Sequence, residues 1–140
     1  MATLNIIYYT GTGNTADMAK YIGEGAENAG ADVKLINVEE ADESAINADF
    51  VAFGSPAVGA EEIAPEMVEF FEGIKEQIIG KTVGLFGSYD WGQGGWMETW
   101  REEMIHEGFS IGNDGLIIHL AVDDDEKIEK CKEYGKAIVG

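Results

Sequence analysis

The chain has 140 residues, 45% hydrophobic and 26% charged, which fits one soluble globular domain, 1–140, with one sizeable core. Its 27 Asp and Glu against 9 Lys and Arg leave a net charge of −18, a surface that repels nucleic acid and anionic membranes and favours basic partners. A single cysteine, Cys131, excludes an internal disulfide; with no signal-peptide layout and no long apolar run, the cytoplasm is the default compartment.

Strand and helix patterns alternate along the chain. Leu4–Tyr9 reads as a first strand, and residues 15–29 carry Met18, Ala19, Ile22, Ala26 and Ala29 at helical spacing. Val33–Val38 is a second strand and Ser44–Ala48 a short helical turn. Phe50–Phe53 is a third strand, apolar on both faces as buried parallel strands are. Pro65–Ile79 is an amphipathic helix opened by its proline. Lys81–Gly87 is a fourth strand. Trp96–Glu107 is a helix with Met97, Trp100 and Met104 on one face. Ser110–Ile118 is the last strand, interrupted at Gly112–Gly115 by a bulge or turn, and Lys127–Val139 closes the chain as a helix. Five strands alternating with helices predict a three-layer α/β fold, a parallel sheet of order 2-1-3-4-5 with helices on both faces.

In such a sheet a ligand sits beyond the carboxyl ends of the strands, at the switch point between the first and third. Three loops converge there. The first, Thr10-Gly11-Thr12-Gly13-Asn14-Thr15, joins a strand to a helix, the layout of a phosphate site. It holds three threonine hydroxyls and no Lys or Arg, so a phosphate there meets neutral donors. The loop lacks the Lys-Ser/Thr pair of a Walker A motif. Gly11-x-Gly13-x-x-Ala16 with Glu39 some 20 residues on also satisfies a dinucleotide pattern, but the hydroxyls suit a terminal phosphate monoester better. The bland alternative is a plain turn with Thr12 or Asn14 as helix cap.

The second loop runs from Ser55 and Pro56 through Ala57, Val58 and Gly59 to Glu61, with Gly59 in a turn whose peptide can flip. The third, Ser88-Tyr89-Asp90-Trp91-Gly92, sets two aromatics between glycines. That suits stacking on a flat ring and close backbone approach to its heteroatoms. Trp96 and Trp100 already fill helical core positions, which leaves Trp91 for a ligand. Asp123-Asp124-Asp125 lacks the glycine and terminal Glu of a calcium loop and reads as the cap of the last helix. His106 and His119 stand isolated, and no metal constellation assembles around them. Cys131 shares an apolar stripe with Ile128 and Ile138 and reads as core.

Together, TGTGNT and GSYDWGQGGWM resemble the FMN phosphate loop and the ring loop of the flavodoxin family, its short-chain members in particular. The resemblance runs the length of the chain. It implies that Thr10 to Thr15 bind the FMN phosphate, that Trp91 stacks on the outer ring face and that the 58–60 turn packs on the inner edge. It further implies that the Gly59 carbonyl accepts from the ring nitrogen protonated in the semiquinone. Glu61 would accept from the imide N–H, and amides around Tyr89–Trp91 would face the pyrimidine edge. The family often has a hydroxyl near the phosphate after the third strand; here Ser55 comes before Pro56, a departure from that pattern. Val58 stands where the inner-face residue is often bulkier, and Asp90 where short-chain members tend to have Gly. The expected function is a low-potential one-electron carrier with non-covalent FMN. It would shuttle between semiquinone and hydroquinone, as a monomer, for redox proteins with basic docking faces. The rival classes are an NAD(P)H-dependent flavin reductase, a Rossmann dehydrogenase and a cofactor-free receiver module.

Overall fold

A computed structural model of the chain describes residues 2–9, 13–58, 62–78, 82–89, 95–111, 115–119 and 121–139. In chain order the elements are β1 (Thr3–Tyr8), α1 (Asn14–Asn28), β2 (Asp32–Asn37), 3-10 turns at Val38–Glu40 and Glu43–Ile46, β3 (Phe50–Gly54), β4 (Ala57–Val58), β5 (Glu62–Ile63), α2 (Pro65–Ile78), β6 (Thr82–Tyr89), α3 (Gly95–His106), β7 (Ser110–Ile111), β8 (Leu116–His119) and α4 (Asp125–Val139). The main sheet runs β2-β1-β3-β6, with β7 and β8 both paired to the far side of β6, and every pairing is parallel. This is the expected 2-1-3-4-5 order, with its fifth strand in two pieces.

Alternation along the central strands sorts side chains onto two faces. Ile7, Phe53 and Leu85 join one core cluster with Met67, Phe71 and Ile74 of α2 and Trp96 and Trp100 of α3. Their neighbours Ile6, Ala52 and Phe86 join a second cluster with Met18 and Ile22 of α1 and Cys131 and Tyr134 of α4. Each sequestered Leu, Ile or Phe contributes about 1.5–3 kcal/mol, so central strands apolar on both faces anchor the two layers at once. On the second face α1 and α4 touch backbone to backbone. A Cβ at Gly25 would collide with the Lys132 carbonyl, and one at Gly135 with the Ile22 carbonyl.

The interruption of the last strand has a definite register. Val83 pairs with Ile111 and Phe86 with Leu116, so three steps on β6 face five on the last strand, an excess of two residues. Between these pairings Leu85 finds another partner. The buried Tyr134 hydroxyl accepts from the Leu85 N–H and donates to the Leu85 carbonyl, each at 2.8 Å. The α4 cap is as expected: Asp124 Oδ1 accepts from the Lys127 N–H at 2.8 Å. Unexpected is the antiparallel β4–β5 pair, with Ala57 opposite Ile63 and Val58 opposite Glu62.

Candidate functional site

The carboxyl ends of β1, β3 and β6 lie side by side. Tyr8 is in register with Gly54, and Gly54 with Phe86. The chain order reverses between β1 and β3, and α1 and α2, which follow them, pack on opposite faces, the arrangement that makes a topological switch point. Of the sequence-derived site residues, Gly13, Asn14, Thr15, Ser55, Pro56, Ala57, Ser88 and Tyr89 are described there. Thr10, Gly11, Thr12, Gly59, Glu61, Asp90, Trp91 and Gly92, with the side chain of Val58, lie outside the described residues.

Gly13 is the N-cap of α1, in the left-handed region at φ 97°. Glycine alone enters that region without strain. The space where its Cβ would stand is open, with no atom within 4 Å. Asn14 lies inside the helix and Thr12 outside the described residues; a glycine cap offers no side-chain acceptor to the first-turn N–H groups, which form the positive end of the helix dipole.

In the first turn, Thr15 is 1% exposed, and Ser88 of β6 is 3% exposed. Their hydroxyl oxygens are 2.8 Å apart. The pair carries two protons, and one is used within it, so one O–H remains to be donated outward. On the opposite face Gly87 admits no side chain: a Cβ would strike the Ser55 carbonyl and the Trp96 ring. The Trp96 indole N–H is buried nearby with no hydrogen-bond partner among the described residues, a donor that water or a bound group would satisfy. Trp96 also belongs to the core, as its helical position predicts, stacked on Trp100 with centroids 6.4 Å apart.

Ser55 is fully buried at the end of β3. Its hydroxyl donates to the Pro56 carbonyl at 2.9 Å and accepts from the Ala64 N–H at 2.8 Å. Tyr89 packs on the ring of His119, centroids 5.0 Å apart, so this histidine is not isolated. Just past β1, the Tyr9 hydroxyl bonds Glu66 of α2; that carboxylate, and Glu39 beyond it, raise the phenol above its ordinary value. A cleft of about 620 Å³ opens alongside, between α2 and residues 38–43. Glu39, Asp42, Glu43, Glu66 and Glu69 line it, and no described Lys or Arg does.

These features fit a flavin mononucleotide. A phosphate needs donors and a helix N-terminus, and among the described residues the Gly13 turn and the Thr15–Ser88 pair offer both. No set of His, Cys, Asp and Glu among the described residues could hold a metal ion, and no described helix is long and apolar enough to cross a membrane. Burial pushes the Cys131 thiol up to about 12, away from any redox or ligand role.

A family model described as Flavodoxin matches residues 6–135. The chain is 39% identical to a flavodoxin of Clostridium beijerinckii over 137 residues, covering 96% of this chain and 98% of that one. It is 35% identical to a flavodoxin of Megasphaera elsdenii over 136 residues, covering 96% of both. A solved flavodoxin from the domain Archaea superposes with a TM-score of 0.87 at 27% identity, over 97% of this chain and 95% of that one. The chain therefore belongs to the flavodoxin family of FMN-binding electron carriers.

Proposed function

We propose that the loops after β1, β3 and β6 hold the FMN in this chain, and that it passes single electrons between partner proteins without turning over a substrate of its own. The observation that carries this is the buried Thr15–Ser88 hydroxyl pair beside the Gly13 N-cap of α1. Bound FMN supplies the redox chemistry, one electron at a time. The chain binds, orients and tunes it.

Thr10, Gly11, Thr12, Gly13, Asn14 and Thr15 wrap the phosphate, Thr15 with its proton count set by Ser88. The segment from Pro56 through Ala57 and Val58 to Gly59 and Glu61, entered at Ser55, lines one side of the ring. Tyr89, Asp90, Trp91 and Gly92 line the other. A phosphate held by neutral donors in a protein of net charge −18 penalises each added negative charge on the ring. That lowers the potential of the second electron by about 59 mV for each tenfold loss of affinity on reduction. The acidic cleft beside the site steers basic docking faces toward it. The working unit is a monomer, and the cytoplasm its compartment.

One titration tests this reading. Reconstituted protein should be yellow and release FMN in acid. It should show two resolved one-electron steps, exchange electrons with a basic partner more slowly as salt rises, and leave NADH and NADPH unoxidised by itself. A single two-electron step, or salt-independent transfer, would refute it.

A further inference from the structure

Ser55 is fixed to the sheet by its main chain, whose N–H donates to the Phe86 carbonyl of β6 at 3.1 Å. Its side chain is committed twice, to the Pro56 carbonyl and to the Ala64 N–H. A serine hydroxyl has one proton. With that proton on Pro56, none remains for a phosphate oxygen, which only accepts.

What the hydroxyl does hold is a loop. Pro56 and Ala64 are the two ends of the segment that contains β4 and β5. Ala64 also opens α2, its carbonyl accepting from Met67 at 3.0 Å and Val68 at 3.2 Å. The β4–β5 ladder has two residue pairs, too few for a ribbon to stand alone in water. One buried hydroxyl bonded to both ends closes the neck of this segment and ties it, through Ser55 and Phe86, to the sheet.

We infer that Ser55 is a positioning residue: its hydroxyl clamps the neck of the 57–63 hairpin, fixes how the hairpin meets the flavin ring, and does not bind the phosphate. This rests on the placement of the hairpin against the ring given above.

The test compares FMN with riboflavin, which has the ring but no phosphate. Binding to flavin-free protein is followed by fluorescence quenching in the wild type, Ser55→Ala and Tyr134→Phe, the last a destabilised control altered at the interrupted strand. Ser55→Ala should weaken both flavins by the same factor, about five- to tenfold for one neutral hydrogen-bonding group. It should shift the potentials of bound FMN and, without flavin, speed amide exchange at Ala64. Ser55→Cys, close in shape but a weak hydrogen-bonding group, should fall between. Tyr134→Phe should move the thermal midpoint but neither flavin's affinity nor the potentials. A loss confined to FMN, with riboflavin binding intact, would make Ser55 a phosphate ligand and overturn the inference, as would unchanged exchange at Ala64. Faster exchange with both affinities and the potentials untouched would overturn the placement of the hairpin against the ring, and the inference with it.

Discussion

Thr15→Val separates the phosphate from the ring. Valine matches the shape of threonine and removes only the hydroxyl. Two consequences follow from the 2.8 Å contact with Ser88. In flavin-free protein the Ser88 hydroxyl, 3% exposed, loses its partner; an orphaned buried hydroxyl costs about 1–3 kcal/mol, which lowers the melting temperature by about 3 °C or more. In the loaded protein a hydrogen bond to a charged acceptor is lost, about 1.5–3 kcal/mol, which weakens FMN roughly ten- to a hundredfold. Riboflavin carries no phosphate, so its affinity should stay within about twofold of wild type on the same reasoning. Fluorescence quenching titrations with both flavins and a melt of the flavin-free protein measure all three. Equal weakening of FMN and riboflavin, or FMN binding at wild-type strength, would refute the assignment of Thr15 to the phosphate.

Tyr134→Phe leaves the Leu85 N–H and carbonyl unpaired where the last strand is interrupted. It should cost about 2–4 kcal/mol by urea denaturation, and a cost under about 0.5 kcal/mol would show that water or the strand replaces the hydroxyl. Gly25→Ala drives a methyl into the Lys132 carbonyl and should destabilise by about 1–3 kcal/mol or more as α1 and α4 separate; an unchanged urea midpoint would contradict the contact. Tyr9, raised by its bond to Glu66, lends stability that is fully present below the ordinary tyrosine value of 10.0 and is lost as pH rises through its raised one. Tyr9→Phe should flatten that alkaline decline in melting temperature, and an identical profile would remove Tyr9 as its source.

The layers were legible because the central strands announce themselves. Ile6 and Ile7, or Ala52 and Phe53, are apolar on both faces, and only a covered parallel strand tolerates that. Gly112 and Gly115 marked the break in the last strand, though not that both halves pair with one neighbour. The β4–β5 pair was not legible, since two residues have no period. Nor was the glycine contact between α1 and α4, because Gly25 and Gly135 look like weak helix positions until their opposite carbonyls are seen. At the site, the Thr and Gly residues pointed to a phosphate through their chemistry. The N-cap of α1 falls on Gly13, one residue before Asn14, where the backbone enters the left-handed region that glycine favours. The two bonds of Ser55 were hidden, since one joins it to a residue nine positions away.

Tyr134 makes the fifth strand separable. Where most sheets need each neighbour to be continuous, β6 has Leu85 satisfied by a helix side chain, so the two halves of the last strand are anchored independently. Closing a longer loop costs only about 0.6 kcal/mol per doubling of its length. The chain can therefore accept added sequence between Ile111 and Gly115 while β7 and β8 keep their register. An edge built this way is a place to graft a tag, a linker or a second module onto an electron carrier.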